Sequence, residues 1–173
     1  YELNADLDES EIYIDEINFH KPQNEELFLN LAATKIKNLF KINNLILYNN
    51  DNKFLIKNIE FSTNFKIDNF ESIEGTFYNR DKYLNDILIN KSKNKIYLNS
   101  NNFDLSSYIE KSLKSTKKSN FFDIFQNLNT SININIKTAK IDEEHNLNNL
   151  TGAAHVKNNK FNKANIFGKF NSY

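Results

Sequence analysis

The sequence predicts a mainly β protein, built as a long antiparallel meander with one helical interruption. Two observations predict this class. Apolar and polar residues alternate in most segments before residue 103 and after residue 130, as in strands that bury one face. A helical period occurs between them, where Leu105, Tyr108, Ile109 and Leu113 share one face. We therefore expect a first β segment over 1–103, a short helical insertion over 104–128 and a second β segment over 129–173 that continues the sheet.

Individual strands are identified with different clarity. Strict alternation is plainest at Ile132, Ile134 and Ile136. Residues 39–48 carry apolar side chains in both phases, so this strand either is covered on both faces or bends midway. Residues 65–77 predict one strand with its apolar side chains in a single phase. Pro22 removes a ladder donor and therefore marks a loop.

The turns of this protein have to use residues other than glycine and proline. The chain contains 3 glycines and 1 proline, which is few for so many strand connections. Asn, Asp and Ser are abundant, and they tolerate left-handed backbone or bond to their own backbone. We therefore expect turns built on these residues.

The helical insertion has a start signal and an apolar face. Asp104 stands where an N-cap should, with its carboxylate free to accept from the amides of the first turn. A second aromatic patch follows the helix. We expect the region to pack on the sheet as a lid or plug, with a membrane-surface element as the alternative. The side chains assigned to the lid are Leu105, Tyr108, Ile109, Leu113, Phe121, Phe122 and Phe125.

Composition excludes several classes of function. The 173 residues carry 22 basic and 22 acidic side chains, so the chain lacks the cationic excess of a duplex nucleic-acid binder. It has no cysteine and hence no disulfide or thiolate chemistry. No apolar run reaches the roughly 18 residues of a membrane span. Because the sequence starts at Tyr1 without a targeting signal, we expect a piece of a longer protein.

Catalytic and metal-binding patterns receive no support, and we expect neither an enzyme nor a cofactor. The sequence has no Gly-rich phosphate loop, Gly-x-Ser-x-Gly elbow or His-Glu-x-x-His helix. The acidic cluster Asp6, Asp8, Glu9 and Glu11 fits no calcium-loop spacing and indicates a solvated turn. The run 142–145 ends in His145 but has no second His or Cys nearby, so it is a poor metal site.

The apolar side of the meander has to be covered, and periodicity leaves two solutions. A second sheet would give a sandwich or barrel, the commoner architecture. In that case the chain would be a β-sandwich or β-solenoid segment of a surface or adhesin-like protein that binds another protein through sheet edges. Alternatively, the sheet curls into a trough whose lining stays available to an apolar ligand.

Several stretches resemble the bacterial AsmA-like superfamily, most closely its large YhdP-type members. Segment 14–25 is similar to that family's strand ending in aromatic-x-Lys-Pro-x-Gly; here it reads Phe19-His20-Lys21-Pro22-Gln23-Asn24, and Asn24 can adopt the glycine's left-handed geometry. The short strands at 53–60 and 65–77 follow in the family's order. Asp104-Leu105 resembles its Asp-Leu at a helix start, and the strands after residue 131 close the pattern.

This resemblance implies an open β-groove, folded lengthwise, that conducts phospholipids across the periplasm between the inner and outer membranes. The chain would be an internal segment of such an envelope protein, anchored to the inner membrane by a part not present here. Its partners would be phospholipid acyl chains, with no nucleic acid, and it would perform no chemistry. The residues expected to line the groove are Leu27, Leu29, Leu31, Phe65, Ile67, Ile73, Phe77, Ile132, Ile134, Ile136, Ile166 and Phe170.

Overall fold

The protein consists of thirteen β-strands, one α-helix and one 3-10 turn, seen in a computed structural model that describes residues 1–36, 39–114, 125 and 127–172. The strands are β1 Glu2–Asp6, β2 Ile12–Ile14, β3 Phe19–Lys21, β4 Phe28–Ile36, β5 Leu39–Tyr48, β6 Lys53–Phe61, β7 Ile67–Asn69, β8 Ser72–Tyr78, β9 Leu84–Ser92, β10 Lys95–Asp104, β11 Thr130–Lys140, β12 His145–Lys157 and β13 Lys160–Ser172. The 3-10 turn covers Asp15–Ile17, and the helix α1 covers Ser106–Lys114.

Eleven strands form one mixed sheet that is not closed into a barrel. Its order is β1-β4-β5-β6-β8-β9-β10-β11-β12-β13, with β7 beside β6, and β2 pairs with β3 in a separate small sheet. The mainly β class and the open sheet are thus as expected, and the two β segments join in one sheet. One pair differs from the predicted antiparallel meander: β10 and β11 run parallel. The chain crosses over through α1 between them, as a parallel connection requires.

Several strands bend midway because their pairing skips a residue. Asn43 in β5 and Asn58 in β6 are passed over between neighbouring pairs, and Asn58 has a left-handed backbone with φ of 51°. Such irregularities bend a strand and shift its side-chain phase. Phe40 and Ile42 on one side of the bend therefore share a face with Leu45 and Leu47 on the other, whereas Ile46 and Tyr48 lie on the opposite face. The bend thus explains the change of phase within residues 39–48.

The Asp86 carboxylate stabilises a similar irregularity in β10. Asp86 on β9 accepts hydrogen bonds from the Ser100 hydroxyl at 2.9 Å and from the amides of Asn101 at 2.6 Å and Asn102 at 3.1 Å. Burial alone would raise the pKa of Asp86, but these bonds and one from the Asn101 side chain outweigh it and lower the pKa. Asp86 therefore contributes stability above its ordinary pKa, and this is lost as the pH falls through the depressed value.

Asparagine builds the left-handed turns, as the composition predicted. Among the described residues, ten non-glycine positions have positive φ; seven are Asn, two are Lys and one is Phe65. Asn24 has φ of 66° and donates its amide to the Asp8 carbonyl at 2.8 Å, so it takes the geometry expected where the family has glycine. No glycine in the described ranges has positive φ.

The prediction that Phe65 belongs to a strand is wrong. The Phe65 amide donates to the Ser62 carbonyl at 3.0 Å and the Ser62 amide donates to the Lys66 carbonyl at 2.9 Å, which defines a tight hairpin turn. Phe65 lies at its left-handed position, with φ of 58°, and is 85% exposed. Residues 65–77 therefore comprise this turn, then β7 and β8 with a break between them, and not one strand.

Replacing Phe65 with glycine is expected to stabilise the fold. A left-handed backbone costs a side-chain-bearing residue about 1 kcal/mol, and Phe65 has little packing to lose. We expect Phe65→Gly to raise the free energy of unfolding by about 0.5–1 kcal/mol, measured by urea denaturation. A decrease of similar size would show that the aromatic ring makes stabilising contacts in this turn.

The small sheet and the 3-10 turn cover one end of several large-sheet strands. Phe19 is 1% exposed, and its ring meets those of Phe54 and Phe77 edge-on at 5.1 and 6.1 Å between centroids. The segment is tied down by Arg80, whose guanidinium donates to Asp15 at 2.8 Å. One strand of the segment thus inserts an aromatic side chain onto the apolar face of the large sheet.

The helix α1 begins at Ser106, one residue later than a cap at Asp104 predicts. The Asp104 carboxylate accepts from the Ser106 amide at 2.9 Å, so it satisfies a free donor of the first turn as expected. It also accepts from the Asn79 side chain at 2.9 Å and lies 3.6 Å from the Lys140 ammonium. Leu105 and Tyr108 pack against the same aromatic cluster as Phe19.

Candidate functional site

A row of aliphatic side chains, interrupted at Gly152, crosses the large sheet. Residues directly opposite one another on paired strands share a face. Following the pairs from β1 to β13 gives one residue per strand, ten in all: Leu3, Leu31, Leu45, Ile56, Ile73, Ile89, Leu98, Ile134, Gly152 and Ile166. We call these residues the aliphatic row and the face that carries them the inner face. With strands about 4.8 Å apart, the row is about 43 Å long.

None of the ten residues of the aliphatic row is fully buried. Leu3 and Ile166, at its two ends, are 49% and 46% exposed, and the other eight are half-buried. In the described part of the chain no second large sheet packs on this face. The row is therefore a strip of hydrocarbon surface, with a gap at Gly152, that stays partly accessible from outside.

The residues one position along each strand form a different surface. The corresponding row on the outer face mixes polar and apolar side chains: Asn4, Asn30, Ile46, Leu55, Glu74, Leu88, Asn99, Asn135, Thr151 and Phe167. Ion pairs such as Lys57 with Glu74, at 3.7 Å, also lie on the outer face. The sheet is thus apolar on one side and largely hydrated on the other.

Two buried clusters flank the aliphatic row. The first contains Phe19 of the small sheet together with the large-sheet side chains Phe54, Phe77, Phe103, Ile136, Ala139 and Leu150. The second contains Ile59, Phe70, Ile96, Phe125, Leu128 and Val156. Row residues pack against one cluster or the other, Leu98 and Ile134 against the first and Ile56, Ile73 and Ile89 against the second. The strip therefore runs between these two buried clusters, which we call the first wall and the second wall.

Phe125 and Leu128 connect two distant parts of the sheet along the second wall. Phe125 forms a bridge with Ile67 of β7. Its carbonyl accepts from the Asn159 side chain at 3.0 Å, and the Asn159 amide donates to the Leu128 carbonyl at 3.2 Å. Asn159 lies in the turn between β12 and β13. Because β7 and this turn are far apart in strand order, the connection requires the sheet to curl toward its inner face.

The residues expected to line a groove fall into three groups. Seven lie on the inner face with partial exposure: Leu29, Leu31, Ile73, Ile132, Ile134, Ile166 and Phe170. Phe77 and Ile136 lie on the same face but are buried in the first wall, and Ile67 packs against the second. Leu27 precedes β4 and is fully buried, and Phe65 lies in an exposed turn. The last two do not line the strip.

The residues assigned to a lid lie partly outside the described ranges. Leu105 and Tyr108 pack on the first wall, Ile109 is half-buried, and Phe125 is buried in the second wall. Phe121, Phe122 and the side chain of Leu113 are outside the described part of the structure. The residues of the predicted lid that the structure describes therefore pack against the two walls.

Sequence reasoning missed six of the ten residues of the aliphatic row, Gly152 among them. Leu3 lies between polar residues, but Leu45, Ile56, Ile89 and Leu98 each have an apolar or aromatic neighbour on one side, so the alternation is clear only at Leu3. Alternation, however, assigns residues to a face of one strand and does not align them between strands. Only the pairing register shows that they form a single line.

The polar clusters on the surface form hydrogen bonds that stabilise turns. Asp8 accepts from the Leu27 amide at 3.0 Å, and Asp6 accepts from the Asp8 amide at 2.9 Å. Asp142 bonds the His145 ring at 2.8 Å within a turn, and the amides of Glu144 and His145 and that ring lower the pKa of Asp142. Across the described ranges, no three His, Cys, Asp or Glu residues are placed to hold a metal ion.

Within the described residues, no helix is both long and apolar enough to span a membrane. No family model, curated protein or solved structure matches the chain.

Proposed function

We propose that the inner face binds phospholipid acyl chains and that the chain is a segment of a lipid conduit. The observation that carries this proposal is the aliphatic row: nine of ten strands contribute one aliphatic side chain each to a line that remains partly accessible. A row that served only the core of this domain would be covered by the protein itself. This one has walls on both sides and an accessible seam between them.

The chemistry of the strip suits hydrocarbon tails. Each methylene moved from water onto an apolar surface gains about 0.8 kcal/mol, so a chain laid along the row is held by many small contributions. No charged side chain belongs to the row, and the open side leaves a headgroup in water. Successive positions are chemically similar, which favours sliding along the row over tight binding at one point.

The same proposal places the chain in the bacterial cell envelope, in the periplasm between the inner and outer membranes. The resemblance to AsmA-like proteins motivates it, and the geometry of the Lys21-to-Asn24 segment supports it. Membrane contacts would belong to parts of a longer protein, with an inner-membrane anchor outside this chain.

Lipid recovery tests the proposal directly. Protein purified without detergent is extracted with organic solvent, and the extract is analysed by mass spectrometry. We expect phospholipid in stoichiometric amounts. An extract without lipid, from protein that is folded by circular dichroism, would argue against the conduit.

A matched pair of variants locates the bound lipid. Ile89 is a member of the aliphatic row and Leu88, its neighbour on β9, lies on the outer face. Ile89→Lys interrupts the strip with a charge and removes contacts with about two methylenes, so we expect recovered lipid to fall about tenfold. Leu88→Lys adds the same charge on the other face and should leave recovery unchanged. Equal recovery from both variants would exclude the inner face as the lipid site.

Protein binding through a sheet edge is the second candidate function. One side of β13 has no partner strand among the described residues, and Phe161, Phe167 and Phe170 along it are 65%, 70% and 63% exposed. Such an edge can accept an added strand. Absence of lipid together with capture of an extended peptide by β13, seen as slowed amide exchange there, would favour this adhesin-like function.

A further inference from the structure

An apolar cleft opens beside the second wall, at the ends of β4, β5 and β6. It has a volume of about 510 Å³ and is lined by Tyr1, Lys35, Phe40, Phe61, Ser62, Thr63 and Phe65. Lys35 pairs with Phe40, and Phe40 pairs with Phe61, so these three side chains share the inner face. Phe40 is 40% exposed. The cleft therefore opens onto the same face as the aliphatic row.

The charged side chain of the cleft is a lysine. Among the lining residues that the structure describes, Lys35 is the only one with a charged side chain, and it is exposed. The remaining lining consists of aromatic rings and two hydroxyls. An aromatic wall with one cation at its rim complements a ligand that has a hydrocarbon tail and an anionic head.

Phe65 supplies an independent reason to regard the cleft as functional. It occupies the left-handed position of its turn, where glycine or asparagine is normally found. It is the one aromatic residue with positive φ in the described chain, and asparagine fills most of the other such positions. An exposed aromatic ring in a strained position contributes little to folding, so its place beside the cleft points to ligand contact.

We infer that this cleft binds anionic single-tailed or double-tailed amphiphiles and serves as a port to the aliphatic row. The tail lies against Phe40 and Phe61, the Phe65 ring closes one side, and the Lys35 ammonium pairs with the carboxylate or phosphate head. This assignment rests on the proposed lipid function and adds to it a preference for anionic heads at one location.

Two amphiphiles with the same tail and opposite heads test the inference. Decanoate and decyltrimethylammonium, each below its micelle-forming concentration, are titrated into the protein by calorimetry. We expect decanoate to bind about tenfold more tightly than the cationic analogue. Lys35→Glu should reverse that preference. Lys53→Glu, which makes the same charge change on the outer face, should leave the preference intact.

A second pair of variants separates the contribution of the Phe65 ring to amphiphile binding from that of the Lys35 charge. Phe65→Asn keeps a residue suited to the left-handed backbone, so the thermal midpoint should stay the same or rise. Binding of both amphiphiles should weaken by a similar factor because the tail loses apolar contact. Phe167→Asn removes another largely exposed ring, on β13, and should have no effect on binding.

The possible outcomes distinguish this inference from the conduit itself. Protein that carries phospholipid but binds the two amphiphiles equally, or keeps its preference after Lys35→Glu, would refute the port and leave the conduit standing. Decanoate binding that depends on Lys35, in protein without recoverable phospholipid, would support the cleft and refute the conduit. No saturable binding of either amphiphile would overturn the inference.

Discussion

Lys21→Met is expected to lower the free energy of unfolding by about 3–5 kcal/mol. The Lys21 side chain is 1% exposed, and its ammonium donates to the carbonyls of Leu7, Asp8 and Ser10 at 2.7, 2.7 and 2.8 Å. All three donors of the ammonium are therefore used. Methionine fills the volume but takes the ammonium away from the Ser10 carbonyl and leaves the carbonyls of Leu7 and Asp8 with one backbone donor each, so the loop between β1 and β2 loses the group that shapes it.

Chemical denaturation measures this effect, with Lys53→Met as the control. Lys53 is exposed on the outer face, and its replacement should change stability by less than about 0.5 kcal/mol. Lys21→Arg should recover only part of the loss, because a planar guanidinium cannot direct three donors as a tetrahedral ammonium does. A Lys21→Met protein within about 1 kcal/mol of the parent would mean that water replaces the ammonium without cost.

Gly152→Ala is expected to separate β13 from β12. A methyl group at position 152 would lie 2.2 Å from the Asn165 carbonyl oxygen and 2.8 Å from the Ile166 Cα. Both atoms belong to the backbone, so no rotamer change relieves the clash. Because β13 pairs only with β12 among the described strands, it has to move as a unit. We expect a loss of about 2–4 kcal/mol or local detachment of β13.

Amide hydrogen exchange followed along the chain distinguishes detachment from global unfolding. Amides of β13 should exchange faster in Gly152→Ala, whereas those of β5 and β6 should change little. Gly168→Ala is the matched control on β13, since its methyl group would meet a movable side-chain atom, the Leu150 Cδ1, at 3.2 Å. Equal protection of the β13 amides from exchange in the parent and in Gly152→Ala would show that the paired strands β12 and β13 accommodate the methyl group.

Local signals in the sequence predicted local structure well. The spacing of Leu105, Tyr108 and Ile109 predicted the helix that the structure places at 106–114, and Asp104 satisfies its first turn. Asparagine predicted the turns, because its side chain tolerates the left-handed backbone that glycine would otherwise supply. In each case the local structure is determined by residues close together in the sequence, so a short window of sequence is enough to predict it.

Features that depend on distant pairs were not predictable in the same way. The parallel pairing of β10 and β11 depends on how the chain crosses through α1, and alternation is the same for either direction. Phe65 happens to continue the odd-numbered phase of Ile67 and Ile73, so periodicity alone extended a strand through a turn. Lys21 resembles any loop lysine until the three carbonyls that surround it are brought together by folding.

The parallel step at β10–β11 also sets the polarity of the two outermost strands. Nine consecutive antiparallel steps would leave the first and tenth strands pointing in opposite directions. One parallel step among the nine makes β1 and β13 point the same way. A simple translation along the sheet would then bring β13 of one copy beside β1 of the next with parallel polarity and both hydrocarbon faces on the same side.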